Sequence, residues 1–470
     1  MPRPTQNPEK LPPFSLHTPS MPPLYLLLPY VWWQLDDFFI GQARTTGLSA
    51  TFKLKQQESE EIYTNPKFVL IAFTWLILLF RSPNINVRTL LLLATSIQTL
   101  LVLCQTIVTN TECLLIVRSL LGIGGAVFPG VLLMGGESGG MAALFVAVSP
   151  AEIAIAGPLL SGVVSLLKGF SVLSWQLLFV FHGILGLIVV LILWFKSPRS
   201  MSVTNTSCMV QGHSGPKNLN RRQRLPEILR LKSLVLIAMS ICCSLSIAPT
   251  PSYLSNHHNL SFVSMPYFFF SIISDLNSTH LIFNLLTMAP YLLCLIVLFV
   301  MATTFSHHLT SAHFLIPSLL LSTFGFVFLS LSAVFDWPLI FLYLAIFPSL
   351  LGTYIAQTLI LSLALSMKHP DSLLTLLLST SQLSTLFSPS GLKPWWRSED
   401  EPAHARGLGA CAALMGLSAI LALVLRWRRG SNRENDGYKF VGGDEKEFGV
   451  LMELGSEESQ NRIVSAGVGD

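Results

Sequence analysis

Charge is what this sequence has least of. Lysine, arginine, aspartate and glutamate make up 11% of its 470 residues, where a soluble domain carries about 25%. The apolar share is 51% and the mean hydropathy is +0.59. A single core surrounded by water cannot hide that much apolar side chain, so lipid is the expected solvent. Motif chemistry is equally sparse. The seven cysteines include no CxxC pair. Cys104, Cys113, Cys242, Cys243, Cys294 and Cys411 sit in or beside apolar runs and Cys208 sits in a polar loop, so neither a disulfide framework nor a zinc site is expected. There is no P-loop, which argues against ATP drive within the chain, and no Ser/His/Asp or metal-ligand constellation argues for an enzyme. No cofactor and no nucleic-acid partner is expected. The polar, proline-rich start, with Pro12 and Pro13, lacks the ordered regions of a secretory signal. The first apolar segment is therefore expected to target the chain.

What is present is a succession of apolar runs close to the ~20 residues that ~30 Å of hydrocarbon demands. The clearest are Leu90–Val108, Cys113–Met134, Trp175–Phe195, Leu234–Ile247, Leu286–Phe305, Phe314–Val334, Leu339–Met367 and Leu408–Trp427. Shorter or more polar candidates are Leu24–Leu35, Phe68–Phe80, Met141–Leu167 and Leu373–Leu386. The reading is an all-α polytopic membrane protein with about twelve transmembrane helices. Lysine and arginine set its orientation. The stretch from Lys196 to Lys232 carries Lys196, Arg199, Lys217, Arg221, Arg222, Arg224, Arg230 and Lys232 against Glu227 alone. The last run leads out into Arg426, Arg428 and Arg429, and Arg81 and Arg88 flank the turn after the second. All these regions are expected to be cytoplasmic, as are both termini.

The expected organisation is a cytoplasmic tail over residues 1–22, a six-helix bundle over 23–195 and a cytoplasmic loop over 196–232. A second six-helix bundle over 233–427 and a disordered cytoplasmic tail over 428–470 complete it. The sequons at Asn259 and Asn277 fall in a predicted external segment, and the one at Asn205 falls in the cytoplasmic loop.

Several segments resemble the anion:cation symporter family of the major facilitator superfamily, especially its fungal allantoate and nicotinate permease-like branch. Leu35-Asp36-Asp37-Phe38-Phe39-Ile40-Gly41-Gln42-Ala43 looks like that family's LDRxNIGNA. Arg118-Ser119-Leu120-Leu121-Gly122 and Phe128-Pro129-Gly130-Val131 look like its RFLLGxxEAGFFPGV, with one residue missing between the halves. Ala156-Gly157 through Gly162 looks like AGxxGGL, and Ser174-Trp175-Gln176-Leu177-Leu178-Phe179 through Gly183 looks like GWRWLFIIEG. In the second half, Asn284 to Thr287 with Pro290-Tyr291 looks like NLLTxPPY, and Gly352-Thr353-Tyr354 with Gln357 looks like GxYxxQ.

The resemblance implies two six-helix bundles that rock about a midplane substrate site. It also implies anion binding and proton coupling by charges on the first and fourth helices. Of those charges only Asp36 and Arg118 match in place. The family's arginine after Asp36 is Asp37 here, and its fourth-helix glutamate is Gly125. Its sixth-helix arginine and glutamate are Gln176 and His182, and Ser306-His307-His308 replaces the charges between helices eight and nine.

Ionisable groups in hydrocarbon cost at least ~2.5–3.5 kcal/mol each, so they usually face a cavity and a partner. Arg118 is the candidate to meet an anionic substrate, with an ion pair to Asp36 or Asp37 as the alternative. Asp36 and Asp37 are adjacent carboxylates near the expected end of the first span, which suits proton uptake and release in a dry site, although both would be wet if the span ends there. Glu152, beside Pro150, is a second proton-carrier candidate; the alternative is that it bonds the loosened helix backbone. His182 titrates near neutrality or sits neutral and hydrogen-bonded. Tyr354 and Gln357 bind substrate from the second half or pack between helices. Trp175 reads as an interfacial anchor. Gly122, Gly124 and Gly125 read as positions of close helix approach.

The function expected is proton-coupled alternating-access transport of a small organic anion (a carboxylate, vitamin or ureide type) by a plasma-membrane monomer. Its partners are the solute, protons and the bilayer. The alternative is a non-transporting homologue acting as a membrane sensor, or an inactive product.

Overall fold

The computed structural model describes residues 27–43, 47–53, 62, 66, 69–70, 73, 87–128, 139–167, 174–196, 231–247, 280–304, 314–335, 337–365, 377 and 405–436. Among them the elements are helical and there is no strand. In chain order these are α1 (Leu28–Gln34), α2 (Asp36–Ala43), α3 (Ser49–Thr51), α4 (Val87–Cys104, followed by the 3-10 turn Gln105–Ile107) and α5 (Thr111–Gly125). They continue with α6 (Gly139–Leu167), α7 (Ser174–Lys196), α8 (Leu231–Ile247) and α9 (His280–Thr304). The last are α10 (Leu315–Val334), α11 (Leu339–Leu365) and α12 (Ala405–Asp436). Five of the described helices are long and apolar enough to cross a membrane. An α-helix satisfies its own backbone polar groups, which is the condition for crossing hydrocarbon.

Residues Met1–Ala422 form one compact unit and Leu423–Asp470 a second. Within the first unit α4 packs on α7 and α5, while α10 lies along α11. Helix α6 is the link across the chain's midpoint, because it packs against α9 and α11 from the second half of the sequence. The α10–α11 seam is built from small residues. A Cβ at Gly325 would stand 2.5 Å from the Ser349 backbone nitrogen, and one at Gly352 would stand 2.5 Å from that of Ser322. Glycine lets the two backbones approach, and hydroxyls then bond across the seam. The Ser322 hydroxyl donates to the Ser349 carbonyl at 3.0 Å and lies 2.6 Å from the Thr353 hydroxyl.

The expected spans at Leu90–Val108, Trp175–Phe195, Leu234–Ile247, Phe314–Val334, Leu339–Met367 and Met141–Leu167 match helices to within a few residues. Three boundaries differ. The first helical stretch does not stop at Leu35: Leu35 N donates to the Val31 carbonyl and Phe39 N donates to that of Leu35, both at 3.1 Å. The ladder therefore continues through Asp36 and Asp37 to Ala43. The paired carboxylate of Asp36 removes the cost that would have ended the span there. Helix α9 begins at His280, before the expected Leu286. Helix α12 continues through Gly430 to Asp436, where disorder was expected. Arginine is a good helix former, and the sequence there carries Arg426, Arg428, Arg429 and Arg433.

Most of Phe68–Phe80 and Leu373–Leu386, the central loop, the sequons, His307 and His308 lie outside the described residues, as do residues 1–22 and 437–470.

Candidate functional site

Arg118 sits two turns into α5, buried to 1% exposure. Its Nη1 pairs with Oδ2 of Asp36, the first residue of α2, whose side chain is 12% exposed. Its Nε donates to the Ile62 carbonyl at 3.4 Å. Two opposite charges removed from water are tolerable only as a bonded pair, and here the pair ties the first helical stretch to α5. Asp36 is therefore not wet, as an early end to the span would have made it.

His182 of α7 completes the group. It too is 1% exposed. Its Nε2–H donates to the Trp32 carbonyl at 3.2 Å, and Trp32 Nε1–H donates back to the His182 carbonyl at 3.1 Å. The imidazole lies parallel to Phe39, with ring centroids 4.3 Å apart. Its Nδ1 stands 3.6 Å from Asp36 Oδ1, beyond an ordinary hydrogen bond. Both atoms are buried and neither has a hydrogen-bond partner among the described residues.

A second group lies where α1, α6, α9 and α11 meet. The charge of Glu152, half-buried on α6, reaches Tyr30 of α1 and Tyr354 of α11. Tyr30 stacks on Phe145 at 4.7 Å and accepts a bond from Gln34 Nε2 at 3.3 Å. The Tyr354 and Ser149 hydroxyls are 3.4 Å apart, joining α11 to α6. Tyr291 of α9 lies within electrostatic reach of Tyr354, and its buried hydroxyl has no hydrogen-bond partner among the described residues. Gln357 is half-buried one turn beyond Tyr354.

No family model matches the sequence, and no curated protein matches it. Solved structures do. One is the major facilitator superfamily proton:xylose symporter XylE bound to 6-bromo-6-deoxy-D-glucose, with a TM-score of 0.61 at 14% identity. The match covers 86% of this chain and 94% of that one. The chain has the major facilitator fold. At that identity the likeness concerns the fold alone, and an all-α polytopic membrane architecture follows from it.

Within the major facilitator fold, the residues singled out from sequence divide cleanly. Asp36, Arg118 and His182 come together from α2, α5 and α7, while Glu152, Tyr354 and Gln357 belong to the second group. Asp37 follows Asp36 in α2, and its side chain lies outside the described part. Close approach at the α5 glycines is as expected. A Cβ on Gly125 would stand 2.5 Å from Trp33 Nε1, and one on Gly124 would stand 2.6 Å from the Gln98 side chain. The Trp33 indole thus fills the space beside Gly125.

Trp175 is a correction. It is not an interfacial anchor but a core residue at 1% exposure. It packs on Phe52 and Phe179, and its Nε1 donates to the Thr51 hydroxyl at 3.2 Å. The buried indole N–H finds its partner in the short helix α3.

Trp32, Phe39, Ser149 and Tyr291 were not among the sequence candidates. Spacing was the available signal for the first two: Trp32 lies four residues before Asp36 and Phe39 three after, on one helical face.

Proposed function

We propose that this chain is a proton-coupled secondary carrier of a small organic anion, working by alternating access between halves spanning residues 23–195 and 233–427. The observation that carries this reading is the buried Asp36–Arg118 pair between the first helical stretch and α5. While Asp36 is ionised it occupies the guanidinium. A proton on Asp36 removes that partner and frees a planar fork that matches a carboxylate. Proton arrival and anion binding are then linked, because either alone leaves an unpaired charge in a dry site.

The major facilitator fold supports the carrier reading, and a proton:xylose symporter of that fold is a precedent for the drive. Glu152, Tyr354 and Gln357 are assigned to the remainder of the solute, at the junction of α6 with α9 and α11. Asp37 is assigned a supporting charge beside Asp36. Membership of the anion:cation symporter family, a plasma-membrane location, a monomeric state and cytoplasmic termini belong to the same proposal.

The tight seat of Trp33 at Gly125 favours one second reading, a non-transporting membrane sensor. Uptake of radiolabelled nicotinate, allantoate and a panel of small carboxylates separates the two, in cells making or lacking the protein. A carrier gives uptake that a protonophore abolishes and that Arg118→Ala or Asp36→Asn reduces at least tenfold, about 1.4 kcal/mol of lost coupling. Uptake indifferent to the protonophore or to Arg118→Ala removes the proton-coupled anion mechanism. No uptake of any member of the panel favours the sensor.

A further inference from the structure

We infer that His182 Nδ1 and Asp36 Oδ1 form a buried binding site for one proton, which deepens the carrier reading and rests on it for its role in transport. The two atoms face each other at 3.6 Å, both buried and both without a hydrogen-bond partner among the described residues. Buried polar atoms are normally paired, so two orphans aimed at each other call for an explanation. The ring's tautomer supplies it. A carbonyl can only accept, so the 3.2 Å contact with the Trp32 carbonyl fixes the ring hydrogen on Nε2. The neutral imidazole then points its Nδ1 lone pair at a carboxylate oxygen, and two acceptors cannot bond. One added proton converts the contact into a charge-assisted hydrogen bond, which is short and strong.

The proton balance is simple. A proton adds to the Nδ1 lone pair, no heavy-atom bond breaks, and the imidazolium donates through Nδ1–H to Asp36 Oδ1. On release the same proton leaves from Nδ1. The surroundings suit the charged ring on three sides. Nε2–H meets the Trp32 carbonyl, Nδ1–H would meet Asp36, and the parallel face of Phe39 lies 4.3 Å away with Trp32 tilted at 5.1 Å. Aromatic faces attract cations. Removal from water and the Arg118 cation work against it. Asp36 on α2 and Arg118 on α5 are the ionised groups whose charge reaches the ring among the described residues.

The arrangement also states what the proton does. The two oxygens of Asp36 serve different neighbours: Oδ2 holds Arg118 and Oδ1 faces His182 Nδ1. An imidazolium on Oδ1 draws charge away from the guanidinium, so a proton at His182 loosens Arg118, and its passage to Oδ1 of Asp36 releases it.

The test uses the full chain, purified in detergent and carrying nitrogen-15 histidine. Acidification is expected to add a proton to Nδ1 of one imidazole that keeps its Nε2–H and exchanges slowly with water, and to shift its nitrogen resonance to the imidazolium position. That resonance is expected to be absent in His182→Gln and displaced in Asp36→Asn. If no slowly exchanging imidazole protonates at Nδ1 in the unaltered protein, the site is overturned, and this outcome needs no variant to fold. A resonance that persists in His182→Gln overturns it equally. In uptake assays with nicotinate, His182→Gln is expected to flatten the pH profile while leaving residual transport. If the resonance behaves as expected but no carboxylate is taken up by any form, the proton site stands and the carrier reading falls.

Discussion

At the scale of single residues, the Asp36–Arg118 pair has a definite energetic signature. Removing one partner of a buried ion pair strands the other charge, at a cost of about 3–5 kcal/mol, whereas removing both is far cheaper. Asp36→Asn and Arg118→Gln are each expected to lower the thermal midpoint in detergent, and the double variant is expected to recover part of the loss. The double-mutant cycle measures the coupling, since the groups touch directly. Additive losses would mean that the charges do not share one site. His182 sharpens the argument. Asp36→Asn removes the carboxylate oxygen that faces the Nδ1 lone pair and can present an amide N–H in its place, whereas Arg118→Gln leaves the two acceptors opposed, so the Asp36 variant is expected to be the more stable of the two singles.

At the scale of elements, the α10–α11 seam depends on two glycines whose substitution is far from neutral. A methyl at Gly352 would lie 2.5 Å from the Ser322 backbone nitrogen, which cannot yield without moving a helix. Overpacking of this kind costs about 1–3 kcal/mol. Gly416 on α12 is the internal control, since its added Cβ would lie 3.7 Å from Thr323 Cγ2, in ordinary contact. Gly352→Ala is expected to lower thermal stability, while Gly416→Ala raises it by about 0.5–1 kcal/mol through restricted chain entropy. Melting curves of the two variants in one detergent check both signs.

These helices were largely legible in the sequence, because length and apolarity alone decide whether a segment can cross hydrocarbon. The site was legible in part. Arg118 and Asp36 stand out wherever charge is scarce, and that scarcity located them. Their joining to His182 was not legible, since it depends on how α2, α5 and α7 are placed across 146 residues of chain. Trp175 was misread for a related reason. A tryptophan at the head of an apolar run reads as an anchor unless a partner for its N–H is known, and that partner, Thr51, came from a distant segment.

At the scale of the whole molecule, side chains turned away from the protein must meet lipid. Leu187 and Leu191 on α7, Phe324 on α10 and Leu344 on α11 are all exposed. In water such faces would be a liability, because contiguous exposed apolar surface drives association. In a bilayer they are the solvent-matched face of each span. Nitroxide labels separate the two cases. Cys208 of the polar loop and the exposed thiols Cys104 and Cys113 are first replaced by serine, which leaves the buried Cys242, Cys243, Cys294 and Cys411, and one further cysteine is introduced at each of the four positions in turn. In reconstituted vesicles, each label is expected to relax with dissolved oxygen, which concentrates in hydrocarbon, and to ignore a water-soluble nickel chelate. A label at Arg118 would be a poor control, because its pair with Asp36 would be broken. Ala50, exposed within the short helix α3, is outside the long apolar helices and is expected to respond to the chelate. Chelate access at Leu187, Phe324 and Leu344 together would place these helices in water, and a buried ion pair would then have no membrane to carry anything across.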